Sequence, residues 1–468
     1  MSREAKSAVI EELKDTRPPI EIFDSIRNLP YSFFLDSAAE AGGLGRFSIL
    51  GADPFLVFKS RSSHLVREYA GGRVEHSSGN PFEALKGIFE KHAIPDRRCG
   101  LPFIGGGVGY FSYDLKSFLE RLPDSSRDDL KLPDCIFGFY DAAVVYDHEK
   151  RKAYIAGLSG DALAGLKRKI SAAARPQPQY VDRIRTPHLK SNFTKASYMA
   201  AVRAAKEYIR KGDIYQVNLS QRFEARSPVE PFELYKRLRV LSPAPFAAYL
   251  DLKDVVIASS SPERFLLKRG DYVETRPIKG TRPRGEDSWK DAALEKELLA
   301  SAKDRAEHVM IVDLERNDLG RVSRYGSIRP SEFIILERYA TVFHLVSTVS
   351  GRLKKDVSAI DCLTAAFPGG SITGAPKIRA MEIIDSLEPV RRGIYTGAIG
   401  YISFDGRMDT SIVIRTFIIK GDMAYFQVGG GIVADSEPEK EYEETLDKAR
   451  AMMSALGIKR DCPETQLL

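Results

Sequence analysis

The sequence predicts an α+β fold, not a doubly wound parallel sheet. In the C-terminal half, apolar runs of strand length follow one another closely, with helical patterns inserted between groups of them. Strict alternation of strands and helices would be expected of a doubly wound sheet, whereas successive strands are typical of α+β proteins. Hydrophobic residues make up 43% and charged residues 29% of the 468 residues, which is usual for a folded globular chain.

Two regions are predicted on either side of a linker. Residues 20–157 carry short β-like runs separated by glycine, with an amphipathic helix near 82–92, and this pattern indicates antiparallel sheet. The segment 171–191 holds three prolines and loses apolar periodicity, as linkers do. We therefore predict an N-terminal region over 1–175 and a C-terminal region over 190–460. A single body in which the two are intertwined is the alternative.

The patterns after the linker are sharper. A helix is predicted over 194–212 and another over 289–309, because apolar residues recur there at helical spacing. A last helix follows Asp435, where Ser436 and Glu439 have the spacing of a capping box. The predicted strands cover residues 245–250, 255–259, 264–268, 271–278, 397–403, 411–419 and 423–433.

Charge and cysteine content exclude several classes of function. The net charge of +6, from 70 basic and 64 acidic side chains, is spread along the chain and predicts no binding to nucleic acid. No apolar stretch has the length of a signal peptide or a membrane span, so no membrane association is expected. The cysteines are widely spaced and indicate reduced thiols in a cytoplasmic protein. They are Cys99, Cys135, Cys362 and Cys462.

Lys279, in the string TRPIKGT, is the candidate nucleophile. Gly280 follows it and allows the backbone to approach a ligand closely. A desolvated lysine loses its proton and attacks carbon, and a carboxyl group such as Glu263, in the string SPER, protonates a leaving hydroxyl group. Most lysines in a soluble chain are only solvated cations. Lys279 is distinguished by the acidic and glycine-rich strings that accompany it.

Carboxylates on two predicted helices are candidate ligands of Mg²⁺. Glu441, Glu444 and Lys448 share one face of the last helix, and Asp304 and Glu307 share a face of an earlier one. Mg²⁺ prefers oxygen ligands and keeps water or substrate oxygens in its shell. The alternative is a solvated helix face with a Glu444–Lys448 salt bridge.

Other residues are suited to hold a carboxylate. The turn 367–377 offers amides and the hydroxyl of Thr373 at a helix N-terminus, and its spacing is not that of a phosphate loop. Arg415 could clamp a carboxylate with two hydrogen bonds. His344 lies among apolar residues, so a hydrogen-bonded core histidine is its alternative role. A strand end offers further amides from Gly429, Gly430 and Gly431. Together these features predict a pocket for a small dianionic substrate.

The chain resembles the chorismate-utilising enzymes. The resemblance covers residues 194–455 and is carried by SSSPERF, TRPIKGTRPRG, DRAEHVMIVDLERNDLGRV, YATVFHLVSTV, FPGGSITGAPKIRAMEIID, YTGAIGYIS, SIVIRTF and GGGIVADSEPEKEYEETLDKA. It extends into the N-terminal half through FLDSA, GRFSILGADPF, GGGVGYFSYDL and LPDCIFGFYDAAVVYDH. The resemblance implies a two-sheet core flanked by helices.

Within that family, Lys279 indicates which reaction to expect. Aminodeoxychorismate synthases carry PIKGT, as this chain does, whereas anthranilate synthases carry alanine in PIAGT. Salicylate and isochorismate synthases place a lysine base at the position that is Gln216 here, which argues against water as the nucleophile. The resemblance therefore implies that chorismate and ammonia give 4-amino-4-deoxychorismate.

The family also implies roles for individual residues. Lys279 would attack C2 of chorismate, and Glu263 would protonate the departing C4 hydroxyl group. Mg²⁺ would be held by Glu307 and Glu444, with Glu441 close by. The substrate would be positioned by His344, Thr373, Tyr395, Arg415, the amides of Gly429, Gly430 and Gly431, and Lys448.

Two partners are implied as well. Some family members bind tryptophan in the N-terminal region, and Ser37, Arg46 and Ser48 stand where that pocket would be. The segment 242–250 lacks the methionine and tyrosine usual in anthranilate synthase, which argues against control by tryptophan. The sequence shows no glutaminase motif around a cysteine, so a separate glutamine amidotransferase subunit is the expected partner.

Two alternatives to this interpretation remain. Anthranilate synthase component I would aminate a different carbon and release pyruvate. A regulatory subunit that binds chorismate or tryptophan without catalysis is the other, and the intact Lys279, Glu263, Glu307 and Glu444 weigh against it.

Overall fold

Two antiparallel sheets form the centre of the molecule. The computed structural model describes residues 8–39, 43–95, 100–172, 187–339 and 342–458, and in this part of the chain each sheet has twelve strands. Helices cover the outer faces of both sheets. The prediction of an α+β fold with a two-sheet core flanked by helices is confirmed.

The strands and helices follow the chain in a mixed order. The strands are β1 (Val9–Leu13), β2 (Phe33–Asp36), β3 (Phe47–Gly51), β4 (Leu56–Arg61), β5 (His64–Tyr69), β6 (Val74–Ser78), β7 (Gly106–Phe111), β8 (Cys135–Tyr140), β9 (Ala142–Asp147), β10 (Lys152–Gly157), β11 (Lys190–Ser191), β12 (Gln216–Arg226), β13 (Phe246–Asp251), β14 (Val256–Ser261), β15 (Arg264–Arg269), β16 (Tyr272–Arg276), β17 (Ile278–Pro283), β18 (Arg329–Arg338), β19 (Val342–Arg352), β20 (Gly374–Ala375), β21 (Ala398–Ser403), β22 (Met408–Ile412), β23 (Thr416–Lys420) and β24 (Met423–Ile432). The α-helices are α1 (Pro19–Asp24), α2 (Pro81–His92), α3 (Gly160–Ala172), α4 (Lys195–Arg210), α5 (Pro231–Leu241), α6 (Ser288–Ala300), α7 (Ala302–Gly320), α8 (Ala359–Ala366), α9 (Lys377–Leu387) and α10 (Pro438–Ala455).

Both sheets combine strands from the two halves of the chain. The first has the order β1-β10-β9-β3-β2-β13-β14-β23-β24-β12-β11, with β20 beside β12. The second has the order β17-β19-β16-β15-β22-β21-β7-β8-β4-β5-β6, with β18 beside β19. Strands from before residue 173 and after residue 186 thus lie side by side in each sheet.

Apolar side chains fill the space between the sheets. Phe33 of β2 in the first sheet packs against Tyr140 of β8 in the second, with ring centroids 4.6 Å apart. Ile257 and Ile399, from β14 and β21, belong to the same buried cluster. The outer face of the first sheet is covered by α1, α3, α4, α5 and α10, and that of the second by α2, α7 and α8. No helix of the described chain is both long and apolar enough to span a membrane.

The predicted helix over 289–309 is wrong, because the chain forms two helices there. Ser301 adopts an extended conformation between α6 and α7, and its side chain accepts a hydrogen bond from the backbone of Asp304. A serine that caps the next helix competes with continuation of the previous one, and helical periodicity alone does not reveal the break. Glu307 consequently lies near the start of α7 and not near the end of a longer helix.

The predicted capping box at the last helix is also wrong. Helix α10 begins at Pro438 after Glu437, and no side chain caps it. Ser436 instead accepts a hydrogen bond from the backbone of Val433. A proline at the first helical position favours a later start than the Ser436–Glu439 spacing implies.

Several predicted elements have different ends in the structure. The predicted strand 271–278 is divided by Pro277 into β16 and β17, and the predicted strand 411–419 is interrupted between β22 and β23. Of the predicted linker, residues 173–186 lie outside the described part, and its ends form the last turn of α3 and β11. Cys99 and Cys462 also lie outside it, while Cys135 and Cys362 are free and buried, as reduced thiols would be.

Candidate active site

The chain crosses between the sheets at two neighbouring points. Residues 262 and 263 connect β14 of the first sheet to β15 of the second, and residues 413–415 connect β22 of the second to β23 of the first. The backbone of Ser260 donates to the carbonyl of Arg415, and the backbone of Ile412 donates to that of Glu263, at 3.1 Å in both cases. Glu263 and Arg415 are thereby fixed side by side at the crossing.

Glu263 is a buried carboxyl group that titrates near neutral pH. Glu263 is only 5% exposed, and its carboxyl group accepts hydrogen bonds from the backbone of Ile278 at 3.4 Å and from Ser371. Burial raises the pKa of Glu263 to about 7, against the smaller lowering effects of these bonds and of Lys279. A carboxyl group with such a pKa can act as a general acid.

Lys279 lies on β17 and reaches across to the end of β24. Its Nζ is 3.2 Å from the position that a Cβ on Gly431 would occupy, and that Cβ would collide with the amide of Gln216. A glycine is therefore required where the amine approaches the strand. Gly280, with φ of +73°, bulges out of the pairing between β17 and β19 directly after Lys279. The bulge leaves Gly280 unpaired between Lys279 and Thr281, which pair with Leu345 and His344 of β19.

Burial shifts Lys279 towards its neutral amine form. Burial lowers the pKa of the lysine, and the positive charge of Lys448 lowers it further. Glu307, Glu263 and Glu444 oppose this effect without reversing it. A lowered pKa increases the fraction of neutral amine, which is the form that acts as a nucleophile.

Two carboxylates of α10 converge above residues 429–431 of β24, the glycine strand. A Cβ on Gly430 would lie 3.3 Å from Glu441 Oε2 and 3.3 Å from Glu444 Oε1, so both oxygens approach the same point of β24. Lys448 Nζ lies 2.6 Å from Glu444 Oε1 and donates to the carbonyl of Gly429 at 2.9 Å. The predicted Glu444–Lys448 salt bridge is present. It fixes the helix to the strand, and Lys448 also lowers the pKa of Glu444.

Glu307 approaches this place from the other helix. Helix α7 packs against β17 and β19, and burial raises the pKa of Glu307 while Lys279 opposes the rise. Both Glu307 and Glu444 act on the charge of Lys279, so the two helices bring carboxylates to one amine. In the described chain no three His, Cys, Asp or Glu side chains form a compact ligand set. The oxygen donors fit Mg²⁺, which is often held by one or two carboxylates and completed by substrate and water.

His344 is buried and neutral. It lies opposite Thr281 across β19 and β17, and its Nδ1 shares a hydrogen bond of 2.9 Å with the Thr281 hydroxyl group. Burial lowers the pKa of His344 to about 3, and the charges of Arg415 and Lys448 act in the same direction. Tyr339 packs edge-on against the ring at 5.1 Å. The residue thus has the partner expected of a core histidine, and it also faces the two cations of the site.

Arg415 presents a guanidinium without an acidic partner. Its backbone has φ of +52°, which marks the turn between β22 and β23, and its Nη1 donates to the carbonyl of Lys448 at 2.9 Å. It makes no ion pair with any described residue, and burial lowers its pKa. An unpaired, partly buried guanidinium is suited to bind a carboxylate of a ligand.

Thr373 and Tyr395 are also buried. The Thr373 hydroxyl group donates to the carbonyl of Gly369 at 2.9 Å and so stabilises the turn before α9. Burial raises the pKa of Tyr395, whose side chain lies next to the charge of Arg415. Helix α9 begins at Lys377 after Pro376, as the sequence predicts.

Two residues of the site were not identified from the sequence. Ser371 donates the hydrogen bond that lowers the pKa of Glu263. Glu315 is 2% exposed and accepts a hydrogen bond from the backbone of Gly370 at 2.9 Å, and burial raises its pKa to about 8. Glu315 had a detectable signal, because it falls on the apolar face of α7 with Ile311 and Leu319.

The predicted tryptophan pocket coincides in part with a separate cavity of about 730 Å³. Ser37 and Arg46 line it, together with Phe246 from the segment 242–250. Ser48 lies behind the wall, where its hydroxyl group accepts from the backbone of Ser37 at 3.0 Å. Tryptophan binding there stays a prediction.

The site combines Lys279, an amine with a lowered pKa, with Glu263, a carboxyl group with a raised pKa. The cations of Arg415 and Lys448 are suited to bind carboxylates of a ligand. This combination is typical of enzymes that transform a small anionic substrate. Comparison with known proteins gives the family: residues 47–454 match the profile described as chorismate binding enzyme. The chain belongs to this family of chorismate-using enzymes.

The relatives include members with two different names. Anthranilate synthase component 1 of Acetivibrio thermocellus is 42% identical over 478 residues, which cover 96% of this chain and 94% of the relative. Aminodeoxychorismate synthase component 1 of Bacillus subtilis strain 168 is 41% identical over 432 residues, which cover 89% and 90%. The crystal structure of anthranilate synthase component I from Streptococcus pneumoniae TIGR4 has a TM-score of 0.78 at 36% identity, covering 87% of this chain and 92% of that one.

Proposed function

We propose that this protein aminates chorismate at C4 and forms 4-amino-4-deoxychorismate. The observation that carries the proposal is the placement of Lys279. Its amine faces the glycine strand within a group of acids and cations, and burial lowers its pKa. A direct attack of ammonia would need no amine nucleophile at this position.

In the first step the neutral amine of Lys279 attacks C2 of chorismate. A nitrogen–carbon bond forms at C2, both conjugated ring double bonds shift towards C4, and the bond between C4 and its hydroxyl oxygen breaks. Glu263 gives its proton to that oxygen, which leaves as water. The pKa of Glu263 of about 7 supports this role, because about half of the groups are protonated at neutral pH and the group becomes an anion on reaction.

In the second step ammonia adds at C4 and the lysine leaves from C2. Both ring double bonds return to their first positions, and the proton lost by the new amine passes to the Glu263 carboxylate left by the first step. The enzyme is restored, and the sum of both steps is chorismate plus ammonia giving aminodeoxychorismate plus water.

Cations and amides would hold the substrate carboxylates during both steps. Arg415 is available for one of them, because it forms no ion pair with a described residue. The amides of Gly429, Gly430 and Gly431 would line the adjoining part of the site, with the cation of Lys448, which donates to the carbonyl of Gly429. His344, Thr373 and Tyr395 would shape its remaining walls. Mg²⁺, held by Glu307 and Glu444 with Glu441 close by, would bind the ring carboxylate and offset the charge that develops on it.

A separate glutamine amidotransferase subunit would supply the ammonia. Relatives with either name are called component 1, which agrees with a protein that works beside a second component. Free ammonia is scarce at neutral pH, because ammonium predominates. We place the reaction in the cytoplasm, as the cysteine content suggests.

Anthranilate formation is the second candidate. Relatives named anthranilate synthase component 1 are as similar to this chain as those named aminodeoxychorismate synthase component 1. The reaction would add ammonia at C2 and release pyruvate, and Lys279 would then stand where the ammonia must enter.

Product analysis distinguishes these candidates. The purified chain is incubated with chorismate, Mg²⁺ and an ammonium salt at raised pH, and the products are separated by chromatography. Aminodeoxychorismate supports the proposal, anthranilate with pyruvate replaces it with the second candidate, and no turnover leaves a binding subunit. Glutamine in place of ammonium gives no product if the chain depends on a partner for ammonia.

A further inference from the structure

A buried ion pair lies behind the segments that face the substrate site. The Arg392 and Glu388 side chains are 1% and 2% exposed, and they follow helix α9 four residues apart. Neither was singled out by its sequence pattern. A buried ion pair is weak evidence for stability, since apolar residues of similar volume often stabilise a protein equally well. Its hydrogen bonds therefore suggest another use.

Arg392 uses its whole guanidinium to join separate elements. Nε donates to Glu388 Oε2 at 2.9 Å, and Nη2 donates to Glu388 Oε1 at 2.8 Å and to the carbonyl of Asn218 at 2.8 Å. Nη1 donates to the carbonyl of Ile372 at 2.9 Å and to the Thr396 hydroxyl group at 3.3 Å. The guanidinium also lies over the rings of Tyr113 and Tyr395, at 4.8 and 5.8 Å.

Each of these partners adjoins a residue of the proposed site. Ile372 precedes Thr373, and Thr396 follows Tyr395. Asn218 lies on β12 in register with Gly431, the glycine that faces Lys279. Three segments distant in sequence are thus held at fixed spacing by one side chain.

Glu388 completes the arrangement on β12. Its Oε1 accepts from the backbone amide and the hydroxyl group of Ser220, at 2.9 and 2.7 Å. Ser220 is in register with Gly429, so the pair supports the glycine strand through β12 at two positions. Both charges are fully hydrogen-bonded, and the guanidinium geometry is rigid.

We propose that Arg392 is a positioning residue of the chorismate site, which sets the spacing between the turn at Thr373, Tyr395 and the glycine strand. This inference rests on the proposed assignment of those residues as substrate contacts. The planar guanidinium holds three directions at once. A lysine has the same charge but cannot keep all three in place, because its ammonium group is smaller and lacks the fork.

The test compares Arg392→Lys with Arg222→Lys. Arg222 is also buried, at 7% exposure, and also lies in contact with an acid, Asp129, but it pairs with Gln427 and not with the glycines at 429–431. We expect kcat/KM for chorismate to fall about 100-fold in Arg392→Lys, mainly through kcat, because small displacements of contacts can cost that much. Arg222→Lys should stay within about threefold of the wild type. Total chorismate consumption is measured, so the result does not depend on which product forms.

Thermal unfolding and a double-mutant cycle separate positioning from loss of folding. Both lysine variants should show similar shifts of the unfolding midpoint, and the fall in kcat should persist in the folded fraction. Glu388→Gln should lower kcat in the same direction, and the double variant should lose little beyond Arg392→Lys alone, because both act through one network. Equal kcat values in Arg392→Lys and Arg222→Lys, or a loss that matches only the unfolded fraction, would overturn the proposal.

Discussion

Replacement of Glu263 by glutamine should remove the proton donor while leaving the crossing between the sheets intact. Glutamine has the same size and can still accept from the backbone of Ile278, which now bonds to the carboxyl group at 3.4 Å. The rate should fall by about 10²- to 10⁴-fold, which is the usual contribution of a general acid. More specifically, the decline of kcat/KM at high pH should disappear with the carboxyl group.

The expected pH range follows from the burial of this group. With a pKa of about 7, Glu263 is about nine-tenths protonated one pH unit below neutrality and about one-tenth protonated one unit above it. The rise from 4.5 to about 7 corresponds to about 3 kcal/mol in favour of the protonated form. The folded state binds the proton more tightly than the unfolded chain does. The free energy of unfolding therefore falls as pH rises from about 4.5 to about 7, and the full loss is reached above about pH 7.

The assay is kcat/KM for chorismate against pH, in wild type, Glu263→Gln and Ser371→Ala. Ser371 donates a bond that lowers the pKa of Glu263, so its removal should move the decline to higher pH. Urea unfolding across the same range should show a pH dependence that is smaller in Glu263→Gln than in wild type. A decline that persists unchanged in Glu263→Gln would refute the reasoning, because another group would then be the acid.

Two other changes test the geometry. Gly431→Ala should lower kcat/KM about 100-fold at a stability cost of about 1–3 kcal/mol, because the new methyl group meets Gln216 and lies 3.2 Å from Lys279 Nζ. Gly165→Ala on α3 has no neighbour within 4 Å and serves as the control; equal activity of the two variants would contradict the close approach. Glu444→Ala should cost about 3 kcal/mol or more in transition-state stabilisation, as chelation of Mg²⁺ should. Glu439→Ala, at an exposed position of the same helix, should keep the wild-type rate. Full activity of the wild type in excess chelator, or of Glu444→Ala, would contradict the metal site.

Local patterns were sufficient for much of this molecule. The intervals between Glu441, Glu444 and Lys448 predicted a shared helix face, and α10 has it, with the expected salt bridge. Strand patterns located β13, β14, β21 and β24 to within a few residues. These features depend on neighbours in sequence, and sequence spacing reports on such neighbours directly.

Contacts between distant segments were beyond such patterns. The crossings at Glu263 and Arg415 lie next to each other because of which sheet each strand joins. Apolar alternation is the same in either sheet, so the pattern does not predict this arrangement. The break at Ser301 depended on competition between two helices for one residue. Arg392 lies in a string with the ordinary appearance of a loop, and its role is visible only when Ile372 and Asn218 are brought to it.

The covalent role of Lys279 is tested most directly by mass spectrometry. The protein is incubated with chorismate and Mg²⁺ while ammonia is excluded, and then the intact protein and its peptides are weighed. We predict an added mass derived from chorismate on the peptide that contains Lys279, absent in Lys279→Ala and Lys279→Arg, because a guanidinium stays protonated and is a poor nucleophile. A Lys279→Ala protein that forms aminodeoxychorismate at nearly the wild-type rate, with no adduct in the wild type, would contradict the account.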